Sequence, residues 1–315
     1  MFLGHGLVAF ALVAAAAARV GWPRERALAL GLVAALFGLL PDVDMVYAPV
    51  GLLAADGGPL ALAEGFWAAS TLVHRAVTHS LPVALVAAVG FAAWRRTDAP
   101  GRAVALALLS ALVLVAGAES GFLGAVAMGA FVVAGLLVTG YAGRLDVSPW
   151  PVFAAGFVGL VGHPFGDLFT GHPPAFLYPF DATLFATRVT LSGDPTVHLL
   201  GAMALELATF WAAAVVYFDL TGRAVRTHLG RSAALGVGYA GAVLAVPAPT
   251  LGLSYPFVFT VLGLGVGCAV LVAGHGRVYG RARRALALSA VLTSLAAVTV
   301  ATFAYATAYL IVAWL

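Results

Sequence analysis

Lysine is absent from this chain, and charge of either sign is scarce. All 16 cationic residues are arginine, and with 13 acidic ones they make up 9% of 315 residues. Soluble domains carry about a quarter charged residues, so this composition cannot build an ordinary water-facing surface. The formal net charge is only +3, and no basic block is interleaved with aromatics, which excludes a nucleic-acid surface. A single cysteine, Cys268, excludes an internal disulfide and a thiolate metal cage, and is read as packing. No G-x-S-x-G run occurs, which argues against a serine nucleophile, and there is no clear internal repeat.

What the chain has is apolar length. It is 63% hydrophobic with a mean hydropathy of +1.03. Apolar runs of about 17 to 25 residues, enough to cross a bilayer, indicate an all-α polytopic membrane bundle of about nine or ten helices. They are expected near 3–18, 26–40, 80–94, 103–118, 121–141, 151–170, 197–218, 232–247, 255–274 and 285–314. Residues 41–79 and 171–196 interrupt them with turn formers and polar groups. The first segment has no basic residue before its apolar run and carries His5, a candidate ligand, so it is read as a retained helix rather than a signal peptide.

The arginines set an orientation, because basic residues favour cytoplasmic loops. With the N-terminus outside, every arginine except Arg75 and Arg188 falls on the inner side. His5, Asp42, Asp44, His74, His79, His163 and Asp167 then gather at outer helix ends, while His228 and His275 fall inside as ordinary loop residues. The expected location is the cytoplasmic membrane, with the N-terminus and a metal site on the extracytoplasmic side.

Three clusters carry the chemistry. His163 and Asp167, four residues apart, share one helix face and can approach a common point. Asp42 and Asp44 follow Pro41, which frees the backbone to turn both carboxylates inward, as a divalent cation requires. His74 and His79 flank Arg75, with a helix start expected between the histidines and Thr78 or Ser80 as its cap. The planar fork of Arg75 suits a phosphate, or alternatively a salt bridge to an aspartate of the cluster. His5, His172 and His198 are weaker candidates. Glu206 is read as a buried carboxyl bonded to a neighbouring helix.

Gly4-His5, Leu40-Pro41-Asp42-Val43-Asp44, His74-Arg75-Ala76-Val77-Thr78-His79-Ser80, and Gly162-His163 with Asp167, Thr170 and Tyr178-Pro179 together resemble the YdjM-like family of membrane-bound metal-dependent hydrolases. That family is distantly similar to zinc-dependent phospholipases C and single-strand nucleases. The resemblance covers about residues 1–180, a hydrolase-like membrane domain, and leaves 181–315 as additional C-terminal helices. It implies metal roles for His5, Asp42, Asp44, His74, His79, His163 and Asp167. Met45 and His172-Pro173 depart from the family pattern and leave the number of metals open. The expected activity is hydrolysis of a phosphoester, on a lipid or lipid-linked head group, by two or three divalent ions. Zinc is the expected metal, with Arg75 and Asp44 as catalytic groups. A divalent-metal or ion transporter, or a metal-binding protein without catalysis, is the rival reading.

Overall fold

The computed structural model describes residues 3–54, 56–70, 75–278 and 283–314. The expected all-α architecture holds. Among the described residues there is no strand, and one isolated β-bridge joins Thr250 to Leu253. The chain divides into two compact units, Met1–Val189 and Thr190–Leu315.

The first unit contains α1 (Gly4–Arg19), α2 (Arg24–Leu39), α3 (Pro59–Ser70), α4 (Leu81–Trp94), α5 (Ala99–Arg144) and α6 (Pro149–Asp167). Within α5, Gly121 adopts φ 67° and ψ −162°, a conformation open essentially to glycine alone. There the helix doubles back. A Cβ on Gly124 would lie 2.6 Å from the carbonyl of Ala116, whereas residues eight apart on a straight helix stand about 12 Å apart. The helices expected at 103–118 and 121–141 are therefore the two arms of one hairpin.

Residues 41–79 differ from the expected interruption. After α2 the chain tightens into a 3-10 helix over Leu40–Ala54 and then forms α3. Pro41 has no N–H for the next i→i−4 bond, so the α winding stops there, while the apolar run continues.

Glycines let α1, α2 and α6 approach almost backbone to backbone. A Cβ on Gly38 of α2 would meet the carbonyl of His5 at 2.8 Å. One on Gly159 of α6 would meet the carbonyl of Ala34 and the amide of Gly38, both at 2.7 Å. This closeness, rather than large interlocking side chains, brings the functional side chains of three helices within reach of one another.

The second unit contains α7 (Pro195–Thr221), α8 (Tyr255–Val278) and α9 (Arg283–Trp314). Asp194 caps α7 by accepting from the amides of Thr196 and Val197, and Gly222 closes it in the left-handed region. The α-helix expected at 232–247 is instead a 3-10 helix, Arg231–Leu244. Gly236, Gly238 and Gly241 weaken α winding there, and Gly236 packs against the α9 backbone at Ala297.

Five helical stretches among the described residues are long and apolar enough to cross a membrane: Arg24–Leu53, Ala99–Arg144, Pro195–Thr221, Tyr255–Gly276 and Arg283–Ala313. Packing agrees with that reading. Large apolar side chains such as Leu114, Leu137, Val266 and Val291 stand exposed, while alanines fill much of the interior. Water would penalise that distribution; lipid does not.

Candidate metal centre

Four helices deliver chemistry-bearing side chains from the same end. His5 lies in the first turn of α1, and Asp42 and Asp44 follow the end of α2. His79 directly precedes Ser80, the cap of α4, whose hydroxyl accepts from the Val83 amide. His163 and Asp167 occupy the last turn and a half of α6. Six of the seven residues expected as ligands therefore converge; His74 lies outside the described residues.

The closest donor set is a triangle. Nε2 of His163 stands 3.0 Å from Nε2 of His79 and 3.4 Å from Oδ1 of Asp42, and His79 Nε2 stands 3.6 Å from the same oxygen. A tetrahedral cation with bonds of about 2.0–2.1 Å spaces its ligand atoms about 3.3 Å apart. Oδ2 of Asp167 lies beside this triangle, 3.3 Å from His79 Nε2 and 3.7 Å from His163 Nε2.

Hydrogen bonds behind the rings aim these nitrogens inward. Nδ1 of His163 donates to the carbonyl of Gly38 at 2.7 Å, which leaves Nε2 with a lone pair. Behind His79, Nδ1 faces Oδ2 of Asp44 at 3.3 Å and the hydroxyl of Thr78 at 2.9 Å. Thr78 Oγ1 also stands 2.8 Å from that Asp44 oxygen. With both Nδ1 atoms protonated, two Nε2 lone pairs oppose each other at 3.0 Å. In that tautomer a cation or a shared proton between them relieves the opposition.

A second donor group, His5, His163 and Asp167, shares His163 with this triangle. Oδ1 of Asp167 faces Nε2 of His5 at 3.2 Å, and the His5 and His163 rings lie 3.9 Å apart. Nε2 of His5 and Oδ2 of Asp167 are buried without a hydrogen-bond partner. Buried polar atoms are seldom left this way unless something else binds them, so the donor set fits a divalent cation. His163 has one free nitrogen for two groups, so its Nε2 completes the triangle or the second group, not both.

Asp44 stands outside both donor groups. The 3-10 winding turns about 120° per residue, so carboxylates two apart diverge, one to each edge of the His79 ring. Arg75 makes the salt bridge to an aspartate of the cluster that was the alternative to a phosphate fork, and it also binds backbone. Its Nη1 donates to the carbonyls of Asp167 (3.2 Å), His172 (2.8 Å) and Thr170, closing the end of α6. Its Nη2 lies 3.5 Å from Oδ1 of Asp167. Arg75 holds φ 66°, unusual for a side chain of this size, and the Ala175 amide donates to its carbonyl at 2.8 Å.

The segment after α6 seals the site. The carbonyl of Phe176 accepts from the Leu81 amide, and that of Tyr178 accepts from the Ser80 hydroxyl at 2.6 Å. His79, Asp44 and His163 are fully buried, whereas the side chain of Asp42 keeps 19% of its surface open. His79 lies in the loop before α4. Burial alone would push its imidazole down, but Asp44, Asp167 and Asp42 prevail and hold its pKa well above the ordinary value.

Of the weaker candidates, His172 offers its carbonyl to Arg75, and His198 accepts the Leu191 amide at Nδ1 within the second unit. Glu206 lies on α7 in that unit. Sequence reasoning missed two supports. The Gly38 carbonyl fixes the His163 tautomer, which a sequence does not signal; the Thr78 hydroxyl braces Asp44, where its place beside His79 was the available clue.

Among known proteins, the family model described as YdjM inner membrane protein matches residues 1–246. No curated protein and no solved structure matches the chain.

Proposed function

The chain belongs to the YdjM inner membrane protein family, and from that premise and the donor triangle we propose that it is a membrane-bound, metal-dependent hydrolase of phosphoesters. The observation that carries the proposal is the set of 3.0, 3.4 and 3.6 Å separations among His79, His163 and Asp42, beside a buried Asp167 oxygen that has no hydrogen bond. Asp42, His79 and His163 would hold a divalent ion, zinc being favoured by the imidazoles, and His5 with Asp167 offers donors for a second. Such a cation supplies Lewis acidity, polarising a phosphoryl oxygen and making water nucleophilic near neutral pH.

The chain's own residues do the rest. Asp44 and Thr78 orient His79, the Gly38 carbonyl orients His163, and Arg75 ties the end of α6 so that Asp167 points inward. Asp44 and Arg75 are thus positioning residues in this reading. Asp42 lies at the open side, where a substrate enters.

The site end of this unit carries Arg75, whereas Arg19, Arg24, Arg26, Arg95, Arg96, Arg102 and Arg144 lie at the far ends of its helices. Basic residues favour the cytoplasm, which supports an extracytoplasmic placement of the N-terminus and the site. A phosphoester on a lipid or lipid-linked head group meets a site at that depth without leaving the bilayer.

Metal analysis of purified wild type beside His79→Ala and Asp42→Asn tests ligation; full metal content in both variants would refute the centre. Hydrolysis of a chromogenic phosphodiester and of a short-chain phospholipid, abolished by chelation and by either variant, is the expected activity. Metal-dependent flux in proteoliposomes with no hydrolysis would move the assignment to transport.

A further inference from the structure

A second feature lies wholly in the unit Thr190–Leu315 and takes no part in the metal centre. From Leu220 to Leu315 the sequence holds seven arginines, at 223, 226, 231, 277, 281, 283 and 284, and two histidines, but no aspartate or glutamate. Arginines beside membrane helices have a topological role of their own, which asks for number and not for a cavity. Here there is a cavity. It is a half-open cleft of about 510 Å³ between residues 227–232, the end of α8 and the start of α9. His228, Arg231, Ser232, His275 and Ser289 contribute its polar lining, and Leu271 and Val272 one apolar wall.

The walls are fixed. Nδ1 of His228 meets the Ser289 hydroxyl at 3.2 Å, and its ring packs edge-on against Phe218 at 5.3 Å. The Gly230 amide donates to Thr293 Oγ1 at 2.8 Å, and the Ser232 hydroxyl donates to the Cys268 carbonyl at 3.2 Å. The turn is thereby tied to both α8 and α9. A preformed cavity with a guanidinium, two imidazoles and no carboxylate favours an anion, and the planar fork of Arg231 suits two oxygens of one phosphate.

We infer that this cavity is a binding site for a phosphate group, carried either by an anionic phospholipid whose chains follow Leu271 and Val272 or by free phosphate. The inference is independent of the hydrolase reading, because no residue is shared.

The test uses the full chain in detergent, titrated with inorganic phosphate, dioctanoyl phosphatidylglycerol and, as a zwitterionic control, dioctanoyl phosphatidylcholine. Arg231→Gln and His275→Gln should each weaken binding about tenfold. Arg226→Gln, the same charge change just before residues 227–232 and outside the cleft lining, should weaken it less than twofold. Binding of phosphatidylglycerol alone identifies the lipid as source; binding of inorganic phosphate as well identifies the group itself. Equal losses in Arg226→Gln and Arg231→Gln would mean diffuse attraction and overturn the site. So would affinity for phosphatidylglycerol no greater than for phosphatidylcholine combined with no binding of phosphate. If Arg231→Gln fails to fold, His275→Gln decides by the same comparison.

Discussion

Replacing Asp44 by asparagine separates a ligand from a group that orients a ligand. The Asp44 carboxylate faces Nδ1 of His79 at 3.3 Å and the Thr78 hydroxyl at 2.8 Å, and it belongs to neither donor group. Asparagine keeps the volume and one acceptor oxygen but loses the negative charge that makes Nε2 of His79 a better donor. Partners of this kind behind a metal-bound imidazole typically contribute 10–100-fold in affinity, about 1.4–2.8 kcal/mol. Asp42→Asn, which removes an oxygen of the triangle itself, should cost more. Competition for zinc against a chromophoric chelator, on detergent-purified protein at one pH, measures both. An unchanged affinity in Asp44→Asn would refute the orienting role. A loss as deep as that of Asp42→Asn would make Asp44 a direct ligand and the donor triangle incomplete.

Gly159→Ala should lower stability by about 1–3 kcal/mol and weaken metal binding, because its Cβ would press within 2.7 Å of the α2 backbone. Gly162→Ala on the same helix meets nothing within 4 Å and should be neutral or stabilising by up to about 1 kcal/mol; thermal melts of the pair decide. Arg75→Ala removes the donor to the carbonyls of Asp167, Thr170 and His172 and should cost about 2–3 kcal/mol, read as a lower melting temperature. Metal affinity should fall as pH falls, since the imidazoles must be unprotonated to bind. The carboxylates around His79 raise its pKa, so the rise in affinity with pH should continue above about 6.5, and a plateau beginning below that value would contradict the arrangement. Stripping the ion with a chelator should lower the melting temperature, by the equivalent of about 2.7 kcal/mol if it was present at a hundred times its Kd.

Much of the site was legible because its signals are local. His163 and Asp167 share a helix face by spacing alone, and the structure brings them together, with Nε2 and Oδ2 3.7 Å apart. The roles of Asp42 and Asp44 were not legible. A spacing of two has different consequences in a turn, an α-helix and a 3-10 helix, and the 3-10 winding after Pro41 sends the carboxylates to opposite edges of one ring. Arg75 was ambiguous for a similar reason. Its guanidinium suits a phosphate or an aspartate equally well, and the fold sets it beside Asp167 and a row of backbone carbonyls.

Composition by itself determined that this chain is a helical membrane protein, because 9% charge cannot clothe a water-soluble surface and the apolar runs have crossing length. The order of residues also places histidines and aspartates at helix ends. Only the tertiary structure decided which of them share a centre. Convergence depends on how near α1, α2 and α6 can come, and that distance is set where Gly38 and Gly159 meet neighbouring backbone, a contact between residues far apart in the chain.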